Sequence, residues 1–209
     1  MSRNLNLSTE SSMGSLLYAF AWFLFALVHS LLARPSLQEK FESHVKSWYR
    51  LLYNLLALIS VAIVLVAGRS WLSDNRFAMF DNQLVEIFSL VVQLLGLVVL
   101  VLAFASYDKG RFIGITQVIT GERVSSATNE PLQRSGLNRW MRHPLYTGAF
   151  LVLWGGAISL LGFWTAIWGT LYLVIGSRFE ERKLINIYGD DYRRYQQDVP
   201  QFFPRLKKV

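Results

Sequence analysis

The stretch LYTGAFLVLWGGAISLLGFWTAIWGTLYLVIGS, Leu145–Ser177, contains no charged side chain. As one α-helix, at 1.5 Å per residue, its 33 residues would run to about 50 Å. A bilayer offers only about 30 Å of hydrocarbon. A break at Leu161-Gly162-Phe163 resolves the mismatch. It predicts two helices, 145–161 and 163–177, joined as a tight hairpin in a membrane.

Working outward from this hairpin, the runs 14–33, 49–67 and 84–105 are each long and apolar enough to cross a bilayer. The expectation is an all-α integral membrane protein of five transmembrane helices. Residues 1–13, rich in Ser and Asn, read as a disordered N-terminus, and 14–209 as a single domain. The first run resembles a signal peptide only superficially: Arg3 alone precedes it, the apolar core is too long, and no small-residue cleavage site follows. It reads as a retained helix.

The loops test this topology. Threaded through five spans, alternate sides of the membrane carry 3 and 18 Lys and Arg residues. The positive-inside rule then places the N-terminus outside and the C-terminus in the cytoplasm. The formal charge of +7 follows from this flanking pattern, so no nucleic-acid partner is inferred. With no cysteine, disulfides, thiolate metal sites and a cysteine nucleophile are excluded. The three histidines, His29, His44 and His143, lack metal-ligand spacing, so no metal is expected. Charge distribution and composition suit a bacterial inner membrane.

The same threading brings most polar groups to the cytoplasmic leaflet: His29, Asn54, Tyr107, Asp108, Arg142, His143, Tyr146, Glu180 and Glu181. Several have ordinary readings. His29 suits a core hydrogen bond, Asn54 and Gln93 interhelical bonds, Tyr107 an aromatic belt, and Arg178 and Arg182 snorkelling. The elements flanking the hairpin are less ordinary. Pro144 suits the first turn of a helix, whose free N–H groups favour an anion, and Arg142 adds a guanidinium fork. Arg142, His143 and Tyr146 share a helical face. Glu180-Glu181 sets two like charges at the hydrocarbon edge. They call for a structural bridge to Arg142 or Arg178, or for a ligand with hydroxyls or a cation.

Arg142-His143-Pro144-x-Tyr146-x-Gly148, an apolar hairpin, Glu180-Glu181-x-x-Leu184, Tyr188-Gly189-x-x-Tyr192-x-x-Tyr195 and Val199-Pro200 together resemble the C-terminal signature of the isoprenylcysteine carboxyl methyltransferase-like membrane methyltransferases. His29-Ser30-Leu31-Leu32-Ala33, Tyr49-Arg50-x-x-Tyr53-Asn54-Leu55 and Ser106-Tyr107-Asp108 with Phe112-x-Gly114-x-x-Gln117 are similar to the methanethiol S-methyltransferase and nurim-like branch of that group.

The resemblance implies an S-adenosylmethionine pocket within 106–205 on the cytoplasmic side. Gln117, Arg142, His143, Pro144, Leu145, Tyr146, Gly148, Glu180 and Glu181 would contact the cofactor. His29, Tyr53 and Asn54 would meet the substrate, and His29, Tyr107 or Asp108 would act as the base. The implied reaction is methylation of a small thiol, methanethiol to dimethyl sulfide. The alternatives are a lipid or prenyl-cysteine substrate, or a non-catalytic membrane protein of the nurim kind.

Overall fold

The computed structural model describes residues 2–72, 77–122 and 131–205, with side chains from Ser12 onward; of the segment 1–13, the side chains of 1–11 lie outside the described residues. The chain forms α1 (Ser2–Leu32), α2 (Pro35–Val45), α3 (Tyr49–Trp71), α4 (Gln83–Ala105), α5 (Lys109–Ile113), α6 (Ile115–Thr120), α7 (Pro144–Gly155), α8 (Leu160–Tyr188) and α9 (Asp190–Asp198). No strand occurs among the described residues. Four helical runs are long and apolar enough to cross a membrane: Ser12–Leu32, Pro35–Trp71, Gln83–Ala105 and Leu160–Tyr188. They fit an integral membrane protein.

The hairpin differs from expectation in a way its chemistry explains. The break falls at residues 156–159 rather than at Gly162. Ser159 is extended and its hydroxyl accepts the Gly162 N–H, so Ser159 caps α8 and Gly162 lies in the first turn. α7 is consequently only 12 residues, about 18 Å, shorter than a full span. α8 has 29 residues and runs about 44 Å, so its last third extends beyond the hydrocarbon thickness. Glu180 and Glu181 ride on that extension.

α7 is held by α4 through small residues on a seven-residue repeat. Ser89, Gly96 and Ala103 are the buried positions of α4, and Gly148 and Gly155 recur at the same interval on α7. A Cβ on Gly148 would lie 2.7 Å from Leu100 Cγ and 2.9 Å from the Gly96 carbonyl; one on Gly96 would lie 2.8 Å from the Gly148 carbonyl. Such close backbone approach is how helices associate where lipid removes the hydrophobic incentive. Polar bonds reinforce the seam: Ser89 donates to the Gly155 carbonyl, and Gln93 Nε2 to Ser89 Oγ at 3.2 Å. Gln93 Nε2 also reaches the Gly155 carbonyl at 3.4 Å, which makes Gln93 an interhelical bond. The opposite face of α4 exposes Leu84, Phe88, Val91, Leu95, Val98 and Leu102, a stripe matched to lipid tails.

A second seam joins α1, α3 and α8. Tyr18, Trp22 and Phe25, spaced along one face of α1, are buried with Val64, Leu72 and Leu161. The Tyr18 hydroxyl reaches Thr165 Oγ1 on α8 at 2.8 Å.

The α4–α7 contact leaves no room for a branched side chain. Gly148→Val should lower the melting temperature in detergent by several degrees, an overpacking cost of about 1–3 kcal/mol. A thermal shift indistinguishable from wild type would mean that α7 does not rely on this contact.

Candidate active site

The N-terminus of α7 meets the extension of α8 and the segment after α9, and each contributes a polar group. Arg142 is nearly buried, its side chain 9% exposed. Its Nε and Nη2 both bond Glu181 Oε1 at 2.7 Å, and Nη1 donates to the carbonyls of Gln196 (3.1 Å) and Val199 (2.5 Å). The backbone continues the junction: Arg142 N–H donates to the Pro200 carbonyl at 2.9 Å, and His143 N–H to that of Gln201 at 3.0 Å. Thr147 Oγ1 donates to the Phe202 carbonyl at 2.5 Å, and Gln201 Nε2 to Ser177 Oγ at 3.0 Å. Residues 199–202 thus form a strap across the entrance of α7. The guanidinium expected to offer a fork to an anion is committed to Glu181 and to this strap.

Glu181 and Glu180, adjacent in sequence, are in different electrostatic situations. Besides Arg142, Glu181 receives Gln196 Nε2 at 3.0 Å and lies 3.2 Å from His143 Nε2; it is saturated. Glu180 accepts from the Tyr146 hydroxyl at 2.8 Å, and its Oε2 lies 3.6 Å from His143 Nδ1. Its side chain is 46% exposed, so acceptor capacity remains. The His143 and Tyr146 rings stack at 5.1 Å, and Phe202 packs on the other side of His143. Outside the spans, burial pushes the Tyr195 hydroxyl up to about 12; it donates to the Asn138 carbonyl at 2.5 Å and braces the approach to Arg142.

A second polar group lies between α1 and α3. His29 Nε2 and the Tyr53 hydroxyl are 2.5 Å apart, and the two rings pack at 4.6 Å. Beside them is a small cleft, with room for about one water-sized group, lined by Phe25, Val28, Leu32, Leu56, Ala57 and Ser60 in addition to the pair itself. Tyr172 of α8 packs edge-on against His29 at 5.8 Å. Tyr53, Tyr172 and Tyr146 lie within electrostatic reach of one another, and Tyr146 bonds Glu180. Tyr146, which bonds Glu180, is thus within electrostatic reach of the tyrosines around His29. Tyr172 escaped the sequence reading because an aromatic in mid-span looks like packing.

The loop before α7 accounts for the other expected site residues differently. Asn54 Nδ2 donates to the carbonyls of Phe112 and Ile113, both at 2.9 Å, and Arg50 Nε to Phe112 at 3.3 Å. These bonds satisfy carbonyls at the end of α5 and latch the loop onto α3. Gly114, at φ +107°, permits the contact: a Cβ there would lie 2.5 Å from the Leu51 nitrogen. Both bonds of the Asn54 amide nitrogen run to the latch. Asp108 is exposed and caps α5, accepting the Arg111 N–H at 2.9 Å, and Gln117 donates to the Arg111 carbonyl at 3.1 Å. Both serve the loop. Tyr107 lies within electrostatic reach of Glu180; burial, and then that carboxylate, raise its hydroxyl above the ordinary value. Pro144 and Gly148 are fully packed and position the helix.

Known proteins resemble this chain over most of its length. The chain is 26% identical to a methanethiol S-methyltransferase of Pseudomonas deceptionensis, over 88% of this chain and 71% of the relative. It is 28% identical to methanethiol S-methyltransferase 1 of Bradyrhizobium diazoefficiens, over 89% and 65% respectively. A human protein-S-isoprenylcysteine O-methyltransferase is 29% identical over 72% of this chain and 54% of the relative. No solved structure matches. The family model described as NnrU protein matches residues 17–162, from the buried face of α1 through both polar groups' first contributors to the cap of α8. That match spans well over half of the sequence, and the chain belongs to the NnrU family.

Proposed function

We propose that the protein is an S-adenosylmethionine-dependent membrane methyltransferase that converts methanethiol to dimethyl sulfide. The observation that carries this reading is the asymmetry of the two glutamates. Arg142 neutralises Glu181, and Glu180 is left with open acceptor capacity beside His143 and Tyr146. One surplus carboxylate at the end of apolar helices suits a ligand bearing hydroxyls and positive charge. The donor set therefore fits S-adenosylmethionine, with Glu180, His143 and Tyr146 as its contacts, and Arg142 and Glu181 as the frame. The names of the relatives support the reaction and the thiol.

S-adenosylmethionine, when bound, supplies a methyl group on a sulfonium sulfur, whose positive charge also favours a nearby thiolate. The chain's own task is to hold the thiol, exclude water and accept its proton. His29 and Tyr53 are built for the last step. With the Tyr53 hydroxyl donating to His29 Nε2, the phenol oxygen is free to accept an S–H proton while its own proton passes to the imidazole. The transfer leaves a thiolate and an imidazolium, and no charge is created in isolation. The human relative supports a second reading, a prenyl-cysteine substrate. The cleft beside His29 is far smaller than the sites of drug-sized ligands, which favours the thiol over a prenyl chain. The charge pattern supports an N-terminus outside and a site at the cytoplasmic leaflet of a bacterial inner membrane.

Binding and folding separate at the two glutamates. Glu180→Gln should weaken S-adenosylhomocysteine binding by about tenfold in calorimetry, the loss of a charge-assisted hydrogen bond, with the melting temperature unchanged. Glu181→Ala should destabilise the fold by about 3–5 kcal/mol, because Arg142 is left buried and unpaired. Equal effects of the two substitutions on either readout would refute the division. His29→Gln should retain S-adenosylhomocysteine affinity and lose at least a hundredfold in dimethyl sulfide formation, measured by headspace gas chromatography of proteoliposomes. Undiminished turnover would reduce His29 to packing.

A further inference from the structure

We propose that the cleft between α1 and α3 is the binding site of the acceptor thiol, and that Leu56 and Ala57 set the length of alkyl chain it admits. The inference rests on the reading of the protein as a thiol methyltransferase and adds where the thiol sits and what limits it.

The cleft has a polar end and an apolar body. The polar end is the His29–Tyr53 pair, and the body is Phe25, Val28, Leu32, Leu56 and Ala57, with the Ser60 hydroxyl one turn further along α3. Tyr53, Ala57 and Ser60 are spaced by four and three residues, so they share one face of the helix. Val28 and Leu56, at 45% and 42% exposure, form the outer edge. Both lie within runs long and apolar enough to cross a membrane, so this edge opens toward lipid rather than water. A small apolar thiol partitions into hydrocarbon and reaches the cleft laterally, sulfur toward the Tyr53 oxygen.

Size follows from the lining. The cleft has room for about one water-sized group, so it takes only a short alkyl thiol, whose chain is directed out past Val28 and Leu56, and not a prenyl chain. Ala57 follows Tyr53 by one turn, where a larger side chain would fill the body of the cleft. Leu56 stands at the mouth, where a smaller one would extend it.

Proteoliposomes of the full chain, given S-adenosylmethionine and an equal mixture of methanethiol and 1-butanethiol, test the inference by headspace quantification of the two methyl sulfides. Wild type should favour methanethiol. Leu56→Ala should shift the product ratio toward butyl methyl sulfide by about tenfold, since each added methylene that finds apolar surroundings contributes about fourfold. Ala57→Leu should cut turnover of both thiols at least tenfold, with S-adenosylhomocysteine affinity within twofold of wild type. A Leu56→Ala ratio within twofold of wild type, or normal turnover by Ala57→Leu, overturns the inference while leaving the methyltransferase reading intact. If Ala57→Leu also loses S-adenosylhomocysteine binding, the Leu56→Ala ratio alone decides. Wild type that binds S-adenosylhomocysteine and methylates neither thiol overturns the thiol reading and this inference together.

Discussion

The Arg142 guanidinium is the constraint on which the rest of the site depends. A buried cation is costly unless every donor finds an acceptor, and here the acceptors come from three places: a carboxylate on α8, a carbonyl within α9 and a carbonyl just beyond it. Satisfying one side chain therefore fixes the rotation of α8, the position of α9 and the path of the strap. His143, next in sequence, inherits its place from that arrangement, and so does the contrast between its two glutamate neighbours. The saturated carboxylate is what makes the adjacent one distinctive.

Around this polar junction the fold obeys the economy of helices in lipid. α4 and α7 approach through glycines and a serine rather than through large side chains, and the large apolar residues are turned outward. α7 is too short to be stable as an independent span, so it depends on α4 for its position. That dependence aligns the entrance of α7 with the loop after α4, and so brings Tyr107 toward Glu180.

Much of this was legible in the sequence, and the failures have identifiable causes. Apolar run lengths predicted α3, α4 and the C-terminal end of α1 to within a few residues, because the bilayer sets a length that hydropathy reads directly; α1 starts about a dozen residues before its apolar run. Helical spacing and shared depth brought His143 to Tyr146 and the α7 entrance to Glu180-Glu181. The hairpin break was misplaced because Gly162 looked like a stop, whereas the Ser159 hydroxyl starts the helix three residues earlier. The interhelical reading of Asn54 anticipated a bond but not its partners, because an amide at a helix entrance looks the same whichever neighbour's carbonyls it serves. Nothing local to Arg142 indicates acceptors 54 and 57 residues away, so its bracing role emerges only in the folded chain.

That separation also orders assembly. Arg142 enters the nascent protein before α8 exists, and its carbonyl partners follow only after a 29-residue helix has been threaded and α9 laid down. Until then the guanidinium has no protein acceptor and must stay hydrated at the bilayer surface, with α7 resting on α4 alone. The Arg142 junction therefore closes late, well after the His29–Tyr53 pair between α1 and α3. Its completion by the strap is a long-range closure, made after the membrane-inserted frame is already in place.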